Sequence, residues 1–177
     1  SVKYGIKGLF AAGQAMGGLF GANRLGSTSL TELAVFGNRS GVAAARNAKN
    51  NKSKANNKIF DPYINEYTNL FGRNGSISSI SLKEMLQKES WRKIGPVRTA
   101  KGIEDIEKII KGIESKLINV SIPNYSIWNQ AFLDYVELKN MVYSAKLIGL
   151  AAKERNGSIG GHVRLDEKNI SAFSKPY

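Results

Sequence analysis

The chain has no cysteine and one histidine, His162, among its 177 residues. The first absence excludes disulfides, thiolate metal ligands and a thiol nucleophile, and is compatible with a reducing compartment. The second excludes a histidine-rich metal cluster built by this chain alone, so no metal site is expected. No apolar run reaches the roughly 18 consecutive residues needed to span a bilayer. Acidic residues are few, 14 against 26 Lys and Arg, which leaves a net charge of +12. That balance fits either an anionic partner such as nucleic acid or a basic piece of a larger, more balanced protein. The charges do not cluster with aromatics, which favours the second reading. At 42% hydrophobic and 23% charged the chain has globular rather than disordered composition.

Residues 1–22 have some likeness to a secretory leader, with Lys3 and Lys7 ahead of an apolar run. Gln14 and repeated glycines interrupt that run, and no polar mature domain follows it directly, so a leader is not expected. Serine at position 1 points to a processed or trimmed product.

Glycine is abundant near the start. "GIKGLFAA", residues 5–12, reads as a short buried strand that delivers the chain to Gly13. A loop follows to about residue 28, with glycines at 13, 17, 18, 21 and 26. Ser27, Thr28 and Ser29 are all suitable N-caps for a helix running to about residue 48. The glycines inside that helix each cost about 1 kcal/mol relative to alanine, which points to close packing against another backbone. "NAKNNKSKANNK", residues 47–58, is a polar linker. No acidic residue lies between Glu32 and Asp61, but the basic stretch from Arg39 to Lys58 has no stacking element, so a solvated linker is favoured over a nucleic-acid surface.

The remainder reads as helical. Residues 60–71 carry Pro62 at a plausible N1 position. "SLKEMLQKESWRK" opens on Ser81 with Glu84 three residues on, a capping box. Its apolar side holds Leu82, Met85, Leu86 and Trp91, and Gly95-Pro96 ends it. In the next segment Ile103, Ile106, Ile109, Ile110, Ile113 and Leu117 form one stripe, with Glu104, Lys108 and Lys111 opposite. The longest segment, from Pro123, places Trp128, Ala131, Tyr135, Leu138, Val142, Ala145 and Gly149 on a coiled-coil-like seam, with Asn156-Gly157 as the stop. Three long amphipathic helices with short connections predict an antiparallel three-helix bundle, spectrin-repeat-like, in a mainly α chain.

The glycine loop lacks known phosphate motifs. "GQAMGG" has the position but not the spacing of G-x-G-x-x-G, and "GANRLGST", residues 21–28, has P-loop spacing without the lysine. A helix starting near Ser29 still offers unpaired N–H groups and the positive end of its dipole. Arg24 lies just upstream with a forked donor suited to a carboxylate. The alternative is that Arg24 is a surface residue and the glycines only make turns.

"GLFAAGQAMGGLFGANRLGSTSLTELAVFG", residues 8–37, resembles the family of succinate dehydrogenase and fumarate reductase flavoprotein subunits, with L-aspartate oxidase as a relative. "GANRLG", "SL" and "VFG" stand in the family's register, and the likeness continues through "LQKESWRKIGPVR", "LDYVELKNMVYSAKLIGLAAKER" and "GGHVRLD". The resemblance implies that Arg24 holds a substrate carboxylate and that Ser27 lies where a backbone amide approaches the same dicarboxylate. It implies that Ser29 and Leu30 face FAD from the helix N-terminus, and that Gln14 takes the place of a glutamate that hydrogen-bonds FAD. Phe20, Thr28, Gly157 and Ile159 depart from the family pattern, whereas His162 and Arg164 keep it.

The likeness covers the C-terminal part of such a subunit. Residues 1–46 would complete an FAD-binding domain as a strand–loop–helix segment, 47–59 would be the linker, 60–157 the helical bundle and 158–177 an extended tail apart from "SIGGHVRLD". The nucleotide-binding motif and the proton-donating arginine would lie outside this chain, so no catalytic residue is assigned to it. The implied partners are succinate or fumarate, the N-terminal part of the same subunit, and an iron–sulfur subunit. The implied location is cytoplasmic, or peripheral on the cytoplasmic or matrix face of a membrane through partner subunits. Alone, the chain is expected to bind no FAD and to be inactive, with an apolar face on its flavin-facing helix that a homodimer or a swap would cover. The alternatives are an L-aspartate oxidase-like flavoenzyme and a basic helical module that uses residues 39–58 on nucleic acid.

Overall fold

The structure, a computed structural model, describes residues 6–16, 19, 26, 28–51 and 56–166. The chain divides into two compact units, one extending to Asn56 and one beginning at Asn57.

In the first unit, residues 6–12 form no strand. Ile6 to Leu9 close a turn (Leu9 N–H to Ile6 O, 3.0 Å), and Ile6 and Leu9 are exposed. A lone extended segment has no ladder to satisfy its backbone groups, so apolar composition does not make it a strand. A helical turn follows at Gly13–Ala15. Helix α1 runs from Thr28 to Asn50, so residues 47–50, expected as linker, are its last turn. A side chain added at Gly37 or Gly41 would have nothing within 4 Å, so neither glycine packs on another described backbone.

The second unit is a helical bundle. Helix α2 (Asp61–Thr68) has Pro62 at its second position, where the missing N–H costs nothing. It leads into α3 (Ser79–Ile94), α4 (Ala100–Lys116) and α5 (Gln130–Glu154). Consecutive long helices are antiparallel. Lys93, late in α3, pairs with Asp105, early in α4, at 3.4 Å, and Lys153 near the end of α5 reaches back to Glu107 of α4 at 3.1 Å. The first and third are parallel, because Lys83 near the start of α3 meets Asp134 near the start of α5 at 3.4 Å. The predicted bundle is therefore present, with up-down-up connectivity.

Its centre is the isoleucine stripe of α4: Ile103, Ile106, Ile110 and Ile113 are buried against Leu82 and Leu86 of α3 and Leu138 and Val142 of α5. Each such side chain contributes roughly 1.5–3 kcal/mol on leaving water.

Three expectations need correction. The cap of α3 is Ser78, whose Oγ accepts from the Ile80 N–H at 3.3 Å; Ser81 donates its hydroxyl to Ser78 O at 2.8 Å and forms no capping box. In the serine-rich run 76–81 several residues can cap, and starting earlier carries the buried stripe from Ser79 through Leu82 and Leu86 to Ile94, which leaves Met85 and Trp91 exposed. Trp128 lies outside α5, in the left-handed region at φ 56°, and is 94% exposed. Asn129 caps α5 instead, its Oδ1 accepting from the Phe132 N–H while its Nδ2 donates to Pro123 O and Tyr125 O.

The tail is not wholly extended loop. Gly157, at φ 86°, turns the chain after α5. Strand β2 (Val163–Arg164) then pairs in parallel with β1 (Val97–Arg98), the connection between α3 and α4, with Val97 opposite Val163 and Arg98 opposite Arg164.

Candidate functional site

The first unit carries the residues singled out for cofactor contact. Arg24 and Ser27 lie outside the described residues. Ser29 and Leu30 are the second and third residues of α1, in the turn whose amides have no partner within the helix. Leu30 is 73% exposed and Ser29 is half-buried. Gln14 is exposed on the Gly13–Ala15 turn.

What joins the turn to the helix is Glu32, at 3% exposure. Its Oε1 accepts from the Gly13 N–H at 2.8 Å. Gly13 sits at φ +69°, a conformation that favours glycine, and a Cβ there would meet the movable Leu33 Cδ2 at 2.7 Å. Residues of α1 thus hold the turn by a hydrogen bond and pack beside it, and the neighbouring Gln14 is exposed on that turn. Sequence reasoning missed Glu32 as a site residue. Its signal was available: it is the only acidic residue before Asp61. At the start of α1 the Thr28 N–H donates to Gly26 O at 2.9 Å, and the positive end of the helix dipole there favours acceptor groups. Among the described residues no group of three or more acidic or histidine side chains could hold a metal ion.

The second unit contains a polar clasp around β1 and β2. Arg98 donates from Nη1 to His162 Nδ1 at 2.5 Å and from Nε to Gly95 O at 2.6 Å. Arg164, buried, donates to both carboxylate oxygens of Asp166, at 2.9 and 3.0 Å, and to Arg155 O at 3.3 Å. Asp166 also accepts from the Ala100 N–H, the first residue of α4, at 2.6 Å. His162, kept from the tail motif, therefore ties the chain after α5 to the α3–α4 connection through Arg98, and Arg164, also kept, links the end of α5 to Asp166 and through it to the start of α4.

The clasp shifts its own titrations. The Arg164 bonds, and next the Ala100 amide, hold Asp166 well below the usual carboxylate range. Burial, and next the Arg98 charge, hold His162 below the ordinary imidazole value; Arg164 and Arg155 act the same way, and a backbone contact of Arg155 opposes them. The folded state thus refuses a proton that the unfolded state accepts. Stability from His162 is complete above about pH 6.5 and declines as pH falls below it. Stability from Asp166 is complete above about pH 3.9 and is lost only as pH falls toward its depressed value. Thermal melts from pH 8 to pH 5 should show a falling Tm, and His162→Gln should flatten that slope; an unchanged slope would rule out His162 as its source.

Residues 83–171 match the family described as fumarate reductase flavoprotein C-term. The chain belongs to the succinate dehydrogenase and fumarate reductase flavoprotein family. It is 32% identical over 161 residues to a fumarate reductase (CoM/CoB) polypeptide of Methanothermobacter marburgensis, covering 91% of this chain and 29% of that one. It is 31% identical over 165 residues to the succinate dehydrogenase flavoprotein subunit of Rickettsia conorii, covering 91% of this chain and 28% of the relative. Among solved structures, Mycobacterium smegmatis Sdh1 in complex with UQ1 superposes with a TM-score of 0.86 at 27% identity, over 93% of this chain and 28% of that one. This member of the flavoprotein family therefore spans less than a third of the length of these relatives. Among its described residues no helix is long and apolar enough to cross a membrane.

Proposed function

We propose that this chain works as the C-terminal part of an FAD-dependent flavoprotein subunit that interconverts succinate and fumarate. One observation carries the reading: the Glu32 carboxylate holds the Gly13–Ala15 turn, which bears Gln14, against α1. That is the side of a cofactor site that one helix and one turn can supply, and relatives of the chain are named fumarate reductase, succinate dehydrogenase and FAD-dependent oxidoreductase.

In this reading Ser29 and Leu30 present backbone N–H groups to FAD, and Gln14 hydrogen-bonds it. Arg24 holds a dicarboxylate carboxylate through its guanidinium fork, and the Ser27 backbone approaches the same substrate. The bound flavin would supply hydride transfer to or from the dicarboxylate, and this chain's part is to bind and orient. Electrons would pass to an iron–sulfur partner subunit, which would also place the complex at the membrane surface.

The test is a dye-linked assay of the full-length subunit with fumarate, succinate and L-aspartate. Turnover with the two dicarboxylates is expected. Preferential oxidation of L-aspartate would move the protein to the L-aspartate oxidase relatives, and turnover with none of the three would overturn the proposal.

A further inference from the structure

We infer that Glu32 is the positioning residue that places Gln14 for FAD; the inference rests on the flavin reading of the turn. An acidic residue in the first turns of a helix ordinarily serves its own helix, through the dipole or through the amides of the first turn. Glu32 does neither with Oε1, which accepts from Gly13, 19 residues earlier in the chain. The carboxylate is buried, and its Oε2 has no hydrogen-bond partner among the described residues. A carboxylate buried with one oxygen unpaired is costly, and a neutral helix former at this position would avoid the cost. The feature that the buried carboxylate supports is the position of the turn.

Two neighbouring residues of α1 meet the turn. The hydrogen bond draws the Gly13 amide toward α1, and the Leu33 side chain lies close to the Gly13 Cα from the same helix. Gln14 is the next residue, so that bond anchors the backbone from which its side chain departs. Glu32 therefore acts on FAD through Gln14 and does not touch it, so its loss and the loss of Gln14 are one event.

The experiment is FAD binding to the full-length subunit, measured as the dissociation constant of FAD for the deflavinated protein. Gln14→Ala and Glu32→Ala should each weaken binding about tenfold, the scale of one lost hydrogen bond to a charged or buried partner. The double variant should be no weaker than either single one, the signature of a shared effect. Glu32→Gln, which keeps an acceptor oxygen for Gly13, should bind FAD nearly as the unaltered protein does. If Gln14→Ala weakens binding but Glu32→Ala does not, or if the two effects multiply, the positioning role is overturned and the flavin reading stands. If Gln14→Ala changes nothing, the flavin reading of the turn fails. Should Glu32→Ala not fold, Glu32→Asp, whose carboxylate is one methylene too short for Gly13, carries the same expectation, and full FAD affinity in that variant overturns the inference.

Discussion

Replacing Arg24 with alanine in the full-length subunit is expected to lower kcat/KM for fumarate by about 10²- to 10³-fold. The motivation is "GANRLG", which resembles the family's dicarboxylate-binding stretch. A guanidinium that clamps a carboxylate makes two parallel charged hydrogen bonds, and losing one partner of such a pair costs about 2–5 kcal/mol. Each 1.4 kcal/mol or so is tenfold in rate, so the stated range corresponds to about 2.8–4.2 kcal/mol, the middle of that interval. Arg24→Lys should recover only part of the loss, because an ammonium is a point charge without the fork. FAD content and melting temperature should stay unchanged in both variants. Unchanged turnover in Arg24→Ala would remove the substrate role from this residue, whether the substrate is succinate, fumarate or L-aspartate.

The second large effect is on folding. Ile106 and Leu138 are both 0% exposed and belong to the core formed by α3, α4 and α5. Truncating either to alanine should cost about 2–5 kcal/mol, the lost transfer energy plus a cavity the bundle cannot refill. For a unit of this size that corresponds to a drop in Tm on the order of 10–20 °C. Trp128→Ala is the control. Its large side chain projects into solvent, so its removal should change stability by about 0.5 kcal/mol or less. A Trp128→Ala loss as large as that of Ile106→Ala would mean that the bundle core has been placed wrongly.

The bundle was legible because periodicity reports burial directly. The isoleucines of α4 recur at three- and four-residue steps, and those at 103, 106, 110 and 113 are the buried ones. Periodicity was less able to say where an element starts. Residues 76–81 offer several serines, and the choice of Ser78 follows from packing against two other helices, which local sequence does not contain. Trp128 misled for a related reason: it falls on the period of the α5 seam, but Asn129 ends that period by capping the helix one residue later. The apolar stretch at 6–12 misled because a strand depends on a partner, whereas a helix carries its own hydrogen bonds.

The candidate site was legible in part. The glycine-rich loop and the helix start were visible as a pattern, and the resemblance attached roles to Arg24, Ser27, Gln14, Ser29 and Leu30. Glu32 stood out as the only acidic residue before Asp61, but its partner did not, because a hydrogen bond between residues 13 and 32 has no signature in spacing. The Arg98–His162 contact spans 64 positions and was hidden for the same reason, although both residues lie in segments that carried the resemblance.

The most direct measurement of the central claim, that α1 and its turn form one side of a flavin site completed elsewhere in the subunit, is flavin stoichiometry. The isolated chain and the full-length subunit would be purified in parallel and their bound flavin measured per mole of protein. The account predicts one FAD per full-length subunit and none on the isolated chain. Flavin at unit stoichiometry on the isolated chain, or none on the full-length subunit, would contradict it.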